Sequence, residues 1–394
     1  MNVLHVGKYY PPYMGGIETH LHALCGELRR FMDVRVLVAN TDSSSKTECI
    51  DGMMVERTGA VCTLASAPLC PGMVSRIRNS DADLIHIHLP NPTAVLAYLA
   101  SGRKGNLVVT YHSDTVRQTV LGTLFNPIQH RFLRRSQAIL ATSPDYLESS
   151  SVLAEHRARC HVVPYGIGLE DFARSDAAQV SQLRQQYGDR LVLAVGRLVY
   201  YKGFEVLIEA MVNVDGRLLL IGDGPLRAKL AGLAAALGIA DRVVFLGALQ
   251  NRETIPFYHA ADVFVLPSVA RSEAFGIVQI EAMAAGTPVV NTALDSGVPF
   301  VSRHEVTGLT VPPQDPAALA AALNRLLQDD QLRASYGKAA RLRAQTYFSL
   351  EAMTSQTRAI YTSVLEDSAR GGRQTIWQKD PHQFQHAERV PPRY

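Results

Sequence analysis

No stretch of the chain approaches the roughly 20 consecutive apolar residues that a membrane-spanning helix requires. The opening MNVLHVGKYYPP also lacks the apolar centre of a secretion signal, so a cytoplasmic protein is expected, with any membrane contact peripheral. Cysteine is scarce. The five residues Cys25, Cys49, Cys62, Cys70 and Cys160 are odd in number, scattered and without a C-x-x-C pair, which suggests neither a disulfide framework nor a zinc site. Charge of one sign is not in excess either. With 39 Lys and Arg against 36 Asp and Glu, the net charge of +3 gives no chain-wide signal for nucleic acid.

Apolar material, by contrast, is plentiful: 47% of the 394 residues are hydrophobic, enough for packed cores, and the length suggests two domains. Short apolar runs alternate with helical patterns, as expected of βαβ units with buried parallel strands. In the first half, strands are predicted at Val3 to Val6, Val34 to Ala39, Asp83 to His88, Leu107 to Tyr111, Ala138 to Thr142 and Cys160 to Val163. Between the first two, Ile17, Leu21, Leu24, Cys25 and Leu28 recur at helical spacing after the glycine pair Gly15-Gly16. A polar stretch from Leu169 to Asp189 reads as the linker. A second series follows, with strands predicted at Leu191 to Val195, Arg217 to Ile221, Val243 to Leu246, Val263 to Pro267 and Pro288 to Asn291. The division expected is therefore 1–187, 188–348, a helix over 349–366 and a polar tail over 367–394 in which Trp377 is the lone tryptophan.

Three segments carry the chemistry. In SEAFGIVQIEAMAAGTP, Glu273 and Glu281 lie eight residues apart; with a helix starting near Gly276, Glu273 sits in the loop before it and Glu281 about a turn and a half inside. The free N–H groups of such a helix start attract phosphate, and a carboxylate such as Glu281 can accept hydrogen bonds from two neighbouring hydroxyls, as an acidic residue does with ribose in dinucleotide folds. Two solvated helix charges are the bland alternative. In VGRLVYYKG, Arg197 and Lys202 occupy the loop after a buried strand, where fixed cations suit a pyrophosphate and lower the barrier as negative charge grows on a departing phosphate. A loop Arg and Lys are otherwise solvated surface. The third, GDGP beginning at Gly222, is a strand-end turn and carries little by itself.

Taken in order, GRLVYYKG, GDGP and SEAFGIVQIEA, with YYPPYMGGIE and the YHSD of Tyr111 to Asp114, resemble glycosyltransferase family 4. The resemblance covers the chain to about Leu365. It implies an α/β chain of the GT-B fold: two Rossmann-like domains facing a cleft, with the last helix returning to the N-terminal domain. It also implies a retaining, metal-independent hexosyltransferase that needs no cofactor. Carried onto the matching positions, Arg197 and Lys202 hold the diphosphate, Glu281 the ribose and Glu273 the transferred sugar. The Phe275-Gly276-Ile277 backbone supplies N–H groups, and Gly15, Gly16 and Gly222 belong to the same donor site. His112 lies near the reacting carbon, where its carbonyl or ring can stabilise positive charge. One departure stands out: where many relatives read Pro-Asn-Gly, this chain has Pro164-Tyr165-Gly166.

The HSD segment followed by Arg117-Gln118, and NTALDSGVPFVS, resemble bacterial mannosyl- and rhamnosyltransferases of O-antigen assembly. That implies a GDP-mannose or GDP-rhamnose donor and a glycan or lipid-linked glycan acceptor at the inner face of the plasma membrane. UDP-sugar donors stay open, as does a nucleotide-sugar binder without catalysis. A glycoside hydrolase using both glutamates would release sugar without a nucleotide, and a nicotinamide enzyme would need a full G-x-G-x-x-G, which no strand here precedes. The D-x-D spelling of Asp81 and Asp83, and the pairing of His86 with His88 on one strand face, read as strand residues rather than a metal site. Between Asp114 and Arg135, Val116, Val120, Leu121, Leu124 and Phe125 mix with Arg117, His130, Arg131, Arg134 and Arg135; this fits either an anionic membrane surface or a core helix with a basic outer end.

Overall fold

The structure, a computed structural model, describes residues 1–13, 15–64, 67–114 and 119–370. Val116, Arg117, Gln118, Trp377 and the tail from residue 371 onward lie outside the described residues. No described helix is long and apolar enough to cross a membrane.

The N-terminal strands are β1 (Asn2–Val6), β2 (Asp33–Ala39), β3 (Lys46–Ile50), β4 (Met53–Thr58), β5 (Cys62–Leu64), β6 (Ala67–Leu69), β7 (Leu84–Leu89), β8 (Asn106–Tyr111), β9 (Ala138–Ala141) and β10 (Cys160–Val162). Among the described residues, eight of them form one sheet in the order β10-β9-β8-β7-β1-β2-β4-β3, while β5 and β6 pair separately. Every pairing in the large sheet is parallel except β3 with β4. The central strands are buried on both faces, so LIHIHL of β7 is covered along its whole length. The edge strand β3 instead shows Lys46, Thr47 and Cys49 to solvent, the polar edge that discourages further pairing. Helix Gly16–Leu28 lays Leu21, Leu24, Cys25 and Leu28 on the sheet, the face that periodicity indicated.

The second lobe has β11 (Leu191–Val195), β12 (Arg217–Ile221), β13 (Val243–Gly247), β14 (Val263–Leu266), β15 (Val289–Thr292) and β16 (Gly308–Val311). They run parallel in the order β13-β12-β11-β14-β15-β16, the doubly wound Rossmann arrangement. Strands β11 and β14 are neighbours whose connections leave in opposite directions, so a crevice opens beyond their carboxyl ends.

Helix Leu350–Ala369 returns to the first lobe, with Ser349 accepting the Ala352 N–H at 3.1 Å as its cap. It lies beside helix Gly16–Leu28 and buries Met353, Tyr361 and Val364 in the N-terminal core. The stretch Leu169–Asp189 is not an extended linker. It forms helices Leu169–Phe172 and Ala177–Tyr187, the latter on helix Asn251–Ala260 with Arg184 bridged to Asp262 at 3.1 Å. Val180, Leu183 and Tyr187 supply a narrow apolar stripe that the surrounding polar residues mask in the sequence.

The outward and return passages between lobes touch. Ile167 donates to the Phe348 carbonyl at 2.9 Å, and Leu350 donates back to the Ile167 carbonyl at 3.2 Å. A Cβ on Gly166 would stand 2.3 Å from the Ser349 carbonyl oxygen and 2.9 Å from Cβ of Met353. Gly166→Val should therefore lower stability by about 1–3 kcal/mol, the usual cost of forcing atoms into a packed site. Unfolding in urea measures this; a midpoint equal to wild type would show that the passages are not in contact.

Candidate active site

The loops that follow β11 and β14 carry the expected donor residues, and one close approach brings them together. Gly203, at φ 68°, ends the turn Tyr200–Lys202, and a Cβ there would lie 2.0 Å from the Pro267 carbonyl oxygen. Only a residue without a side chain, in the left-handed region, lets the two loops touch. The Val269 N–H then donates to the Tyr201 carbonyl at 2.8 Å. Across this seam Lys202 Nζ meets Glu273 Oε2 at 2.6 Å, and Ser268 Oγ donates to the same oxygen at 3.1 Å.

Both partners are nearly covered, with 9% of Lys202 and 7% of Glu273 exposed. Burial works to lower the Lys202 ammonium, but the Glu273 carboxylate outweighs it and raises the group above the ordinary lysine value; Glu281 acts in the same sense. Lys202 thus lies within the field of both glutamates. Glu281 accepts from the Tyr258 hydroxyl at 2.5 Å, and burial raises its carboxyl above the usual range, opposed by that hydrogen bond and by Lys202. The helix begins at Val278, two residues later than the sequence suggests, so Glu281 sits in its first turn. The N–H groups of Gly276, Ile277 and Val278 donate to no partner among the described residues, which leaves them available to an anion.

Arg197 is exposed, and its side chain forms no ion pair or hydrogen bond among the described residues, while its carbonyl accepts from the Val199 N–H at 2.9 Å. It belongs to the same locus, because the half-buried Tyr201 phenol feels Lys202, Glu273 and Arg197 together. Gly222 sits at the end of β12, where a Cβ would meet the Gly196 carbonyl oxygen at 2.0 Å, so its local task is to let two strand ends close. On the opposite lobe, Gly15 and Gly16 lie where helix Gly16–Leu28 starts, and no atom of the described residues lies within 4 Å of a Cβ placed on Gly16.

His112 differs from expectation. Its ring is 1% exposed rather than open to the cleft, with Nε2 3.1 Å from Nδ1 of His88 and Nδ1 bonded to the Tyr165 hydroxyl. Tyr165 in turn packs edge-on against Phe275, ring centres 4.9 Å apart, so the His112–Tyr165 pair abuts the loop that carries Glu273. Arg271 adds a second bridge between lobes, reaching Ser149 Oγ at 3.0 Å and Asp114 at 3.6 Å.

His5, His20, His86, His88 and His112 are all buried, and the ring nitrogens of two overlapping triplets, His5/His86/His88 and His20/His88/His112, lie within 4.8 Å of one another. Four of these rings already have hydrogen-bond partners; both nitrogens of His20 have none. The carboxylates of the D-x-D pair turn elsewhere: Asp81 to Arg35, and Asp83 to the Asn2 N–H at 2.8 Å. Of the basic segment, Phe132 and Leu133 are buried while Arg131, Arg134 and Arg135 face solvent.

Two family profiles match this chain, Glycosyltransferase Family 4 over residues 14–171 and Glycosyl transferases group 1 over residues 176–343. D-rhamnosyltransferase WbpZ of Pseudomonas aeruginosa is 33% identical over 353 residues, covering 89% of this chain and 92% of that protein. This chain belongs to glycosyltransferase family 4. The O-antigen chain mannosyltransferase C of Escherichia coli is 32% identical, covering 94% of this chain and all of that one. Among solved structures, sucrose-phosphate synthase of Thermosynechococcus elongatus superposes with a TM-score of 0.76 at 26% identity over 93% of this chain and all of that one. The enzyme is thus a retaining glycosyltransferase of GT-B architecture.

Sequence reasoning missed Tyr258, Ser268 and Arg271, which hold or frame the two glutamates. None belongs to a local pattern, and Tyr258 reaches Glu281 only through the packing of helix Asn251–Ala260 on helix Val278–Ala285. It also missed that five histidines converge in the core of this glycosyltransferase, since they come from two strands, the residue after a third and a helix, far apart in the chain.

Burial lowers all five histidines, His5 and His20 to about 3, so they are neutral when folded. The unfolded chain protonates them near pH 6.5 and therefore binds more protons. Stability is held in full above that pH and lost as pH falls toward 3, at about 1.4 kcal/mol per unit for each ring. Thermal unfolding should drop steeply between pH 7 and pH 5. His20→Phe should flatten that slope, and an identical slope would contradict its burial as a neutral ring.

Proposed function

We propose that this enzyme transfers a hexose, mannose or D-rhamnose from a GDP-sugar, to a lipid-linked polysaccharide acceptor at the cytoplasmic face of the membrane. The donor assignment is supported by two relatives of similar identity named as a D-rhamnosyltransferase and an O-antigen chain mannosyltransferase. A UDP-sugar donor is the alternative within the fold, since a solved GT-B structure 22% identical to this chain is a complex with UDP.

The observation that carries the reading is the meeting of Lys202, Glu273 and Glu281 beside the exposed Arg197 and the free N–H groups at the start of helix Val278–Ala285. In this reading Arg197, Lys202 and those N–H groups hold the diphosphate. Glu281 takes the ribose hydroxyls and Glu273 the hydroxyls of the sugar, while Gly15 and Gly16 let the first lobe approach. His112 stands beside the reacting carbon. Fixed positive charge stabilises the departing diphosphate most when its negative charge is greatest, so no metal is required of the mechanism. The acceptor hydroxyl attacks from the face on which the diphosphate leaves, the leaving phosphate takes its proton, and configuration is retained.

Within the site the ion pair has a further effect. Lys202 is neutralised by Glu273 at 2.6 Å, so the incoming donor first meets Arg197 and the helix amides. Removing Lys202 would strand a buried carboxylate and cost about 3–5 kcal/mol, so loss of activity in Lys202→Ala would mix folding with chemistry. Arg197→Ala avoids this because the side chain is exposed. It should reduce kcat/KM at least about a hundredfold, the scale of one lost charge-stabilising donor, with an unchanged unfolding midpoint. Glu273→Gln should also lose most turnover; wild-type rates in both variants would remove the proposed site. Thermal-shift titrations decide the base: GDP should raise the melting temperature more than UDP at equal concentration, and the reverse order would overturn the donor assignment.

A further inference from the structure

A single line of hydrogen bonds runs along one face of the N-terminal sheet, from Tyr165 to Tyr361 of the returning helix and back to Thr110 on β8. The Tyr165 hydroxyl meets His112 Nδ1; His112 Nε2 lies 3.1 Å from His88 Nδ1, and His88 Nε2 lies 3.1 Å from His5 Nδ1. His5 Nε2 is 3.2 Å from the Tyr361 hydroxyl of the returning helix, which also meets His86 Nδ1, and His86 Nε2 ends the line on Thr110 Oγ1 at 2.7 Å.

The four imidazoles are neutral, because burial holds each well below the usual histidine range. A neutral imidazole carries one N–H and one lone pair, so of two facing nitrogens one alone bears the proton. Assigning one ring therefore assigns the next. If His112 donates from Nε2, His88 must accept at Nδ1 and donate from Nε2, and His5 must do the same. His5 then donates to Tyr361, whose hydroxyl proton passes on to His86 Nδ1, leaving His86 to donate from Nε2 to Thr110. Reversing one ring reverses all four, or else leaves a buried polar atom without its partner at about 1–3 kcal/mol. The ends choose the direction. A phenol is the stronger donor and an aliphatic hydroxyl the stronger acceptor, so the protons point from Tyr165 toward Thr110.

We propose that Tyr165 is a positioning residue that sets His112, and through it His88, His5 and His86, as Nε2–H tautomers in one proton-ordered chain. Tyr165 stands at the position where the sequence departs from the Pro-Asn-Gly of many relatives, and its hydroxyl closes the one His112 nitrogen that the other histidines leave open. The ring beside the cleft is thereby held in one plane and excluded from proton transfer. Its contribution to the reaction is fixed position and not acid or base chemistry. This use of the chain rests on His112 standing near the reacting carbon; the proton order does not.

The test uses the full-length enzyme labelled with 15N-histidine, its rings assigned by single His→Gln variants. Long-range 1H–15N spectra should show all four rings protonated at Nε2, unchanged from pH 8 to pH 6. In Tyr165→Phe, His112 should move to the Nδ1–H form or to a mixture of the two, and kcat should fall about tenfold, as for a small misplacement near a reacting group, with the donor KM within twofold. Two neighbouring rings in opposite tautomers in wild type, or a Tyr165→Phe spectrum identical to wild type, would overturn the proposal. Tyr361→Phe gives a second reading beneath the returning helix: it should release His5 and His86 while Tyr165 still holds His112, and loss of order at His112 alone would contradict the direction. Full turnover in His112→Ala with uniform wild-type tautomers would instead remove His112 from the catalytic reading and leave the chain standing.

Discussion

The site is organised around one buried ion pair, Lys202 with Glu273. Its partners come from loops after β11 and β14, adjacent strands whose connections diverge, and this divergence creates the space beyond their carboxyl ends. A lone charge at that depth would be expelled or neutralised; two charges seated 2.6 Å apart, with Ser268 on the carboxylate, can stay. The pair pins the two loops where Gly203 lets them touch, and it holds Glu273 in place while Arg197 remains exposed, with no ion pair among the described residues. Rigidity and attraction are thus divided between two cations of one loop.

Much of this was legible in the sequence because buried parallel strands are short apolar runs with turn residues at their ends. LVLAV at β11 and RLLLI at β12 match their predicted bounds, and the loops expected to hold the donor follow from strand ends of this kind. What escaped has physical reasons. Strands β3 to β6 and β16 are short and mixed in polarity, with partners supplied only by the assembled sheet. The helix over Ala177–Tyr187 was hidden by its polar composition, and its few apolar residues matter only because helix Asn251–Ala260 lies against them. The start of helix Val278–Ala285 was placed early because Gly276, at φ 74°, ends a loop rather than beginning a helix.

The histidines show the limit from the other side. DADLIHIHLP was rightly read as a buried strand, and His86 and His88 do share a face, their rings stacked 4.4 Å apart. Their company was not legible, since His5, Tyr361 and His112 reach them from β1, from the last helix and from the residue after β8. Four of these polar rings are tolerated in an otherwise apolar core because each finds a hydrogen-bond partner. His20, whose two nitrogens find none, is held by ring contacts with His112 and Tyr165 at 5.0 and 4.7 Å.

The contact between residues 166–167 and 348–350 has the form of an axle. Two backbones that share hydrogen bonds and leave no room for a Cβ at Gly166 cannot slide past each other, so relative rotation of the halves has its least displacement there and its greatest at the distant rim. Tyr165 adjoins this axle in the chain, whereas Arg271 grips Ser149 and Asp114 away from it. Were the halves to turn about this contact, the edge-on Tyr165–Phe275 pair would be displaced less than the Arg271 bridge, and that wall of the cavity would keep its register.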